Sequence, residues 1–164
     1  MRLLPVACVF VCLSASSTAV PMTAVAAETA APFSLRGLDG RTLRLSDYKG
    51  QPVVLDFWAT WCGPCRASMP HLNQIQDRFQ PQGLVVIGLS VDDGPAPAVR
   101  RYTERLGVHF RMAMADEGVL DDYGPIRSIP TTIFINRRGD VVRRVVGYID
   151  AETMESFARE IVAK

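Results

Sequence analysis

The chain has 164 residues, 48% of them hydrophobic and 21% charged, with 18 basic against 17 acidic side chains. That length supports one domain with a real core, and the mixed charge fits a globular protein. The arginines are scattered rather than gathered into a basic stripe, which argues against a nucleic-acid binder.

In chain order, the first segment is a targeting signal by its pattern. Leu3 to Leu13 is apolar, Arg2 precedes it, and small residues follow up to Ala24-Val25-Ala26-Ala27. This predicts a secretory signal peptide over residues 1–27, cleaved after Ala26 or Ala27, and one domain over 28–164. The apolar run is short for a membrane span, which takes about 20 residues; an uncleaved anchor is the alternative. Cys8 and Cys12 fall inside the signal, so the mature chain keeps Cys62 and Cys65 alone. An exported location permits disulfides.

A short lead ends at Pro32. Phe33 to Leu35 and Thr42 to Leu45 flank Asp39-Gly40, a hairpin turn signal. Ser46 to Gly50 then turns the chain toward Val53 to Trp58, an apolar, β-branched and aromatic run that predicts a strand buried on both faces. The run breaks at Cys62-Gly63-Pro64-Cys65. Beyond it, Met69, Leu72, Ile75 and Phe79 mark one face of a helix that Pro81 and Gly83 stop. Leu84 to Val91 predicts a second buried strand, Pro95 to near Gly107 a helix, Phe110 to Met114 a short strand, and Asp116 to Tyr123 a helical turn. Thr131 to Asn136 and Val141 to Val146 form an antiparallel pair around Gly139-Asp140, and Asp150 caps a last helix, Ala151 to Ala163. The expected order is βα, βα, a further βα unit, then ββα.

The strand, Cys-x-x-Cys, helix layout suits thiol chemistry, because the thiolate is the nucleophile. Cys62 falls at a helix start, where unpaired N–H groups favour negative charge. Cys65 lies one turn deeper, placed to resolve a mixed disulfide. A disulfide serving only as a staple would close too short a loop to restrict the unfolded chain much. Structural zinc takes four ligands, and beyond the signal there is no second cysteine pair. Asp56, inside the apolar run, is costly unless neutral or paired; backbone N–H groups satisfying it are one reading. His71 and His109 lack ligand spacing to the cysteines. Met112 and Met114 near His109 are soft donors, and a half-buried strand accounts for their alternation.

Trp-Cys-Gly-Pro-Cys after Asp-Phe-Trp-Ala resembles thioredoxin, and the Leu-Asp-Gly…Leu-Ser-Asp-Tyr-Lys-Gly stretch narrows this to the exported thioredoxin-like reductases of the TlpA and ResA type. The resemblance covers about residues 32 to 163. It implies an α/β thioredoxin-like fold with an N-terminal β-hairpin and an inserted βα unit between Asp92 and Pro130. It implies that the Ile129–Pro130 bond is cis, that the Ile129 backbone pairs with an extended substrate, and that Trp61 contributes to docking, with Trp58 in the core. Asp56, six residues before Cys62, is implied as proton acceptor for Cys65 through water. Two positions depart from the pattern. Gly88 stands where thioredoxin has a lysine near the buried aspartate, and Ser68 where an acidic residue often follows the second cysteine.

The implied activity is reduction of protein disulfides in the periplasm, with no cofactor beyond the redox-active disulfide and with a membrane electron-transfer protein as reductant. Apocytochrome c and copper-delivery proteins of oxidase assembly are the implied substrates. An oxidant or isomerase, disfavoured by Gly63-Pro64, and a copper-binding chaperone are the alternatives. A thiol peroxidase lacks a peroxidatic cysteine outside the pair.

Overall fold

In the computed structural model, residues 28–163 are described; the predicted signal peptide lies outside them. Strands β1 (Ser34–Arg36) and β2 (Thr42–Arg44) form a separate antiparallel hairpin. A 3-10 turn, Leu45–Tyr48, leads into β3 (Val53–Trp58). Then follow α1 (Gly63–Phe79), β4 (Val85–Ser90), α2 (Ala96–Arg105), β5 (Arg111–Met114), α3 (Glu117–Asp122), β6 (Thr131–Ile135), β7 (Val141–Val146) and α4 (Ala151–Ala163). The predicted order of elements holds, with ends moved by one or two residues.

The main sheet runs β5-β4-β3-β6-β7, so β3 is central. β4 and β5 lie parallel to it, and β6 and β7 close the sheet antiparallel. All six β3 residues are buried, as expected of a strand covered on both faces. Side chains alternate between the faces. Val54 and Trp58 point into a core with Leu72 of α1, Val99 of α2 and Ala158 of α4. Leu55 and Phe57 point into a second core with Leu35 and Leu43 of the hairpin and Val119 of α3. The hairpin is thus part of the hydrophobic structure. It also reaches the β5 edge, where the Leu38 N–H donates to the Met112 carbonyl at 2.8 Å.

The α1 sequence carries Pro70 in its interior, which removes the bond to the Arg66 carbonyl. The helix persists because Met69, Leu72 and Ile75 are buried against the sheet. α4 is capped by Asp150, whose carboxylate accepts from the Thr153 N–H at 2.9 Å and from its hydroxyl at 2.8 Å. These bonds hold the Asp150 carboxyl below its usual range.

Candidate active site

β3 ends at Trp58, at the carboxyl edge of the parallel strands, and the chain turns through Ala59-Thr60-Trp61 into α1. Cys62 is the N-cap of α1 with extended backbone, and Pro64 sits in the first turn, where no N–H partner is needed. Cys62 and Cys65 are joined in a disulfide. The Cys65 N–H points at Cys62 Sγ from 3.1 Å. A backbone donor held beside the outer sulfur in this way favours a thiolate over a thiol. Cys65 is fully buried and Cys62 is 6% exposed, so the outer sulfur is the one within reach of a substrate.

Asp56 is fully buried on the sheet face that α1 covers, the face that also buries Cys65. Its Oδ1 accepts from the Thr132 hydroxyl at 2.8 Å, while Oδ2 has no hydrogen-bond partner. The reading in which backbone N–H groups satisfy this carboxyl therefore does not describe it: a single side-chain hydroxyl does so, and only in part. Burial pushes the Asp56 pKa from 3.8 up to about 7, against a smaller lowering by Thr132.

The two departures from the thioredoxin pattern both fall at buried positions. Gly88 pairs with Asp56 across the sheet on one side and with Met112 on the other. A Cβ at Gly88 would lie 2.4 Å from Met112 Sδ and 3.2 Å from Phe110 Cε2, so Met112 fills the space of a side chain there. Ser68 is buried and its hydroxyl donates to the Pro64 carbonyl at 3.2 Å, so an acid at this position would lie out of contact with water.

Trp61 is 71% exposed, whereas Trp58 is core and stacks on Tyr102. The Ile129–Pro130 bond is cis, and Pro130 is buried while Ile129 is half-buried. The Pro130 carbonyl accepts from the Gly147 N–H at 2.8 Å, next in the chain to exposed Tyr148. A small cleft of about 120 Å³, lined by Arg127, Ser128, Thr131 and Val146, adjoins this turn.

The remaining polar candidates are ordinary. The ring of His71 contacts the Ile149 carbonyl at 3.3 Å and that of His109 contacts Asp77 at 2.7 Å. Among the described residues no group of three or more His, Cys, Asp or Glu could hold a metal ion. Sequence reading missed the partners that tie the redox turn to the sheet. The Asp92 carboxylate accepts from the Thr60 N–H at 3.0 Å, from the Thr60 hydroxyl at 2.6 Å and from the Ser90 hydroxyl at 2.7 Å. Asp92 carried only a turn signal, because its partner Thr60 lies 32 residues away.

Comparison with known proteins decides the family, since the AhpC/TSA family matches residues 26–144. The chain belongs to the AhpC/TSA family. Within that thioredoxin-like family it is similar to the thiol-disulfide oxidoreductase ResA of Geobacillus thermodenitrificans, 36% identical over 141 residues, covering 85% of this chain and 80% of that protein. The ResA of Halalkalibacterium halodurans is 36% identical over 134 residues, covering 80% of this chain and 74% of that protein. The crystal structure of a putative thiol:disulfide interchange protein DsbE from Chlorobium tepidum superposes with a TM-score of 0.74 at 33% identity, covering 84% of this chain and 95% of that one. A thioredoxin family thiol:disulfide interchange protein from Chlorobium tepidum TLS gives a TM-score of 0.77 at 26% identity, covering 83% and 97%. The thioredoxin-like fold and the ResA-type resemblance both hold. This AhpC/TSA member is a thiol–disulfide oxidoreductase with a Cys-x-x-Cys disulfide.

Proposed function

We propose that the protein is an exported reductant of protein disulfides. The observation that carries the exchange chemistry is the placement of Cys62 at the N-cap of α1, facing the Cys65 N–H; the reducing direction rests on Gly63-Pro64, the dipeptide that thioredoxin also has. The Cys62 thiolate attacks one sulfur of a substrate disulfide. A mixed disulfide forms, and the other substrate sulfur departs as a thiolate that takes a proton from water. The Cys65 thiol gives its proton to Asp56 through water, and its thiolate attacks Cys62 Sγ. The second substrate sulfur then leaves as a thiolate that takes the proton back from Asp56 through water, and the Cys62–Cys65 disulfide remains. Two electrons have passed to the substrate, and a dithiol carried by a membrane electron-transfer protein restores the pair.

The raised pKa of Asp56, about 7, suits a group that takes and returns a proton near neutral pH. Exposed Trp61 and half-buried Ile129, just before cis-Pro130, supply an apolar edge and the Ile129 backbone for an extended substrate segment. The N-terminal pattern supports export to the periplasm. The resemblance to TlpA and ResA points to oxidised apocytochrome c or copper-delivery proteins as substrates.

Two measurements test this. Cys65→Ala expressed in the native cell envelope should trap substrates on Cys62 as mixed disulfides, identified by mass spectrometry; recovery of the membrane reductant alone would count against protein substrates. Equilibration with a glutathione or thioredoxin couple should give a potential within roughly 40 mV of thioredoxin's, about −270 mV. A value near −120 mV would make the protein an oxidant.

A further inference from the structure

We propose that Asp92 is a positioning residue for thiol–disulfide exchange: through Thr60 it holds the turn that presents Cys62 at the start of α1. Asp92 follows β4, and both of its carboxylate oxygens are occupied. Oδ1 accepts from the Thr60 hydroxyl at 2.6 Å and from the Thr60 N–H at 3.2 Å. Oδ2 accepts from the same N–H at 3.0 Å and from the Ser90 hydroxyl at 2.7 Å. Ser90 is fully buried in the sheet, and its oxygen accepts in turn from the Asp92 N–H at 3.2 Å. The carboxylate is thereby fixed to β4, and Thr60 is fixed to the carboxylate.

The turn needs such a tie. Ala59-Thr60-Trp61 contains no glycine or proline to set its backbone, and Trp61 at its tip stands 71% exposed without anchoring it. Its one internal backbone bond runs from the Cys62 N–H to the Ala59 carbonyl at 3.1 Å. Thr60, midway, is held from outside by Asp92. The consequence falls on Cys62, whose sulfur receives the Cys65 N–H at 3.1 Å. Stabilisation of an anion at a helix start falls off within the first turn. A turn free to swing would carry Sγ out of line with that donor, and the thiolate fraction would drop.

Asp92 enters no bond that is made or broken. In the first step the Cys62 thiolate joins a substrate sulfur while the substrate S–S bond breaks and the departing sulfur takes a proton from water. Asp92 sets how much of Cys62 is thiolate when that step begins. As a bare charge it would do the reverse, because a nearby carboxylate disfavours a second anion. The two effects have opposite sign, which makes the inference testable.

The experiment is the pH profile of iodoacetamide alkylation of Cys62 in the reduced protein, for wild type, Asp92→Ala, Thr60→Val and Thr60→Ser. Because it uses no protein substrate, its failure would be separate from a failure of the reductase assignment. Asp92→Ala should raise the apparent Cys62 pKa by roughly half a unit or more and slow alkylation at pH 7 by about threefold. Thr60→Val, which leaves the charge in place, should shift the profile in the same direction, and Thr60→Ser should restore it. A fall in the Cys62 pKa in Asp92→Ala would reduce Asp92 to a local charge. An unchanged profile in both Asp92→Ala and Thr60→Val would reduce the clamp to scaffold. If Asp92→Ala does not fold, the Thr60→Val and Thr60→Ser pair decides alone: a raised and restored pKa supports the clamp, and two unchanged profiles overturn it.

Discussion

Asp56 shows how a single side chain couples stability to chemistry. The folded protein keeps its proton up to about pH 7, whereas the unfolded chain releases it near 3.8. Folding therefore takes up a proton between those values, and stability falls as pH rises through that window and levels off above it. The difference corresponds to a penalty of about 4 kcal/mol above pH 7. Asp56→Asn should thus leave stability at pH 4 nearly unchanged and raise it at pH 8 by roughly 2 to 4 kcal/mol. The same variant should slow reduction of a model disulfide by roughly tenfold or more at pH 7, because Cys65 loses its proton acceptor. Urea unfolding at the two pH values, together with turnover, checks both halves. A variant that is no more stable at pH 8 and equally fast would make Asp56 a purely structural group. Gly88 and Ser68 explain why no lysine or second acid shares this burden: Met112 Sδ would stand 2.4 Å from a Cβ at Gly88, and Ser68 is buried against its own helix.

At the scale of elements, the strand-to-helix junctions decide where the chemistry sits. α1 is started by the redox cysteine itself, with Pro64 in its first turn, so helix initiation and thiolate stabilisation share one set of N–H groups. α3 is short and depends on its cap, the Asp116 carboxylate accepting from the Val119 N–H at 2.9 Å. α3 brings Val119, and Tyr123 just beyond it, into the core beneath β3, and the Tyr123 hydroxyl donates to the Ala31 carbonyl at 2.7 Å. Asp116→Ala should cost about 1 kcal/mol of stability. Because α3 lies across the sheet from Cys62, the rate of disulfide exchange should stay within twofold of wild type, roughly the scatter of a neutral change. Chemical denaturation beside a thiol-exchange assay measures both, and a loss of exchange out of proportion to stability would link α3 to the redox site.

For the molecule as a whole, the hairpin ahead of β3 closes the second core. Leu35 and Leu43 are each 5% exposed and pack with Leu55, Phe57, Ile87 and Leu89 of the main sheet. Leu43→Ala should cost about 2 to 4 kcal/mol, and deleting residues 33–44 should leave an unfolded or aggregating chain, since the β3 and β4 side chains would face water. Calorimetry of the point variant and solubility of the deletion test this; a soluble, cooperatively folding deletion would show the hairpin to be an accessory.

The sequence by itself determined the order of elements and the chemistry of the site. Those signals are local: the apolar period in Val53–Trp58 and in α1, the turn residues Asp39-Gly40 and Gly139-Asp140, and two cysteines three positions apart. The resemblance carried by the same motif supplied the cis bond at Pro130, which X–Pro chemistry alone does not specify. Tertiary structure decided what depends on residues far apart in the chain. Thr132 as the one hydrogen-bond partner of Asp56 comes from strand register, as does Met112 filling the place beside Gly88. The carboxylate of Asp92 meets Thr60 only because β3 and β4 run parallel and end together. A periodic pattern says which face a residue occupies; only the folded sheet says what it meets there.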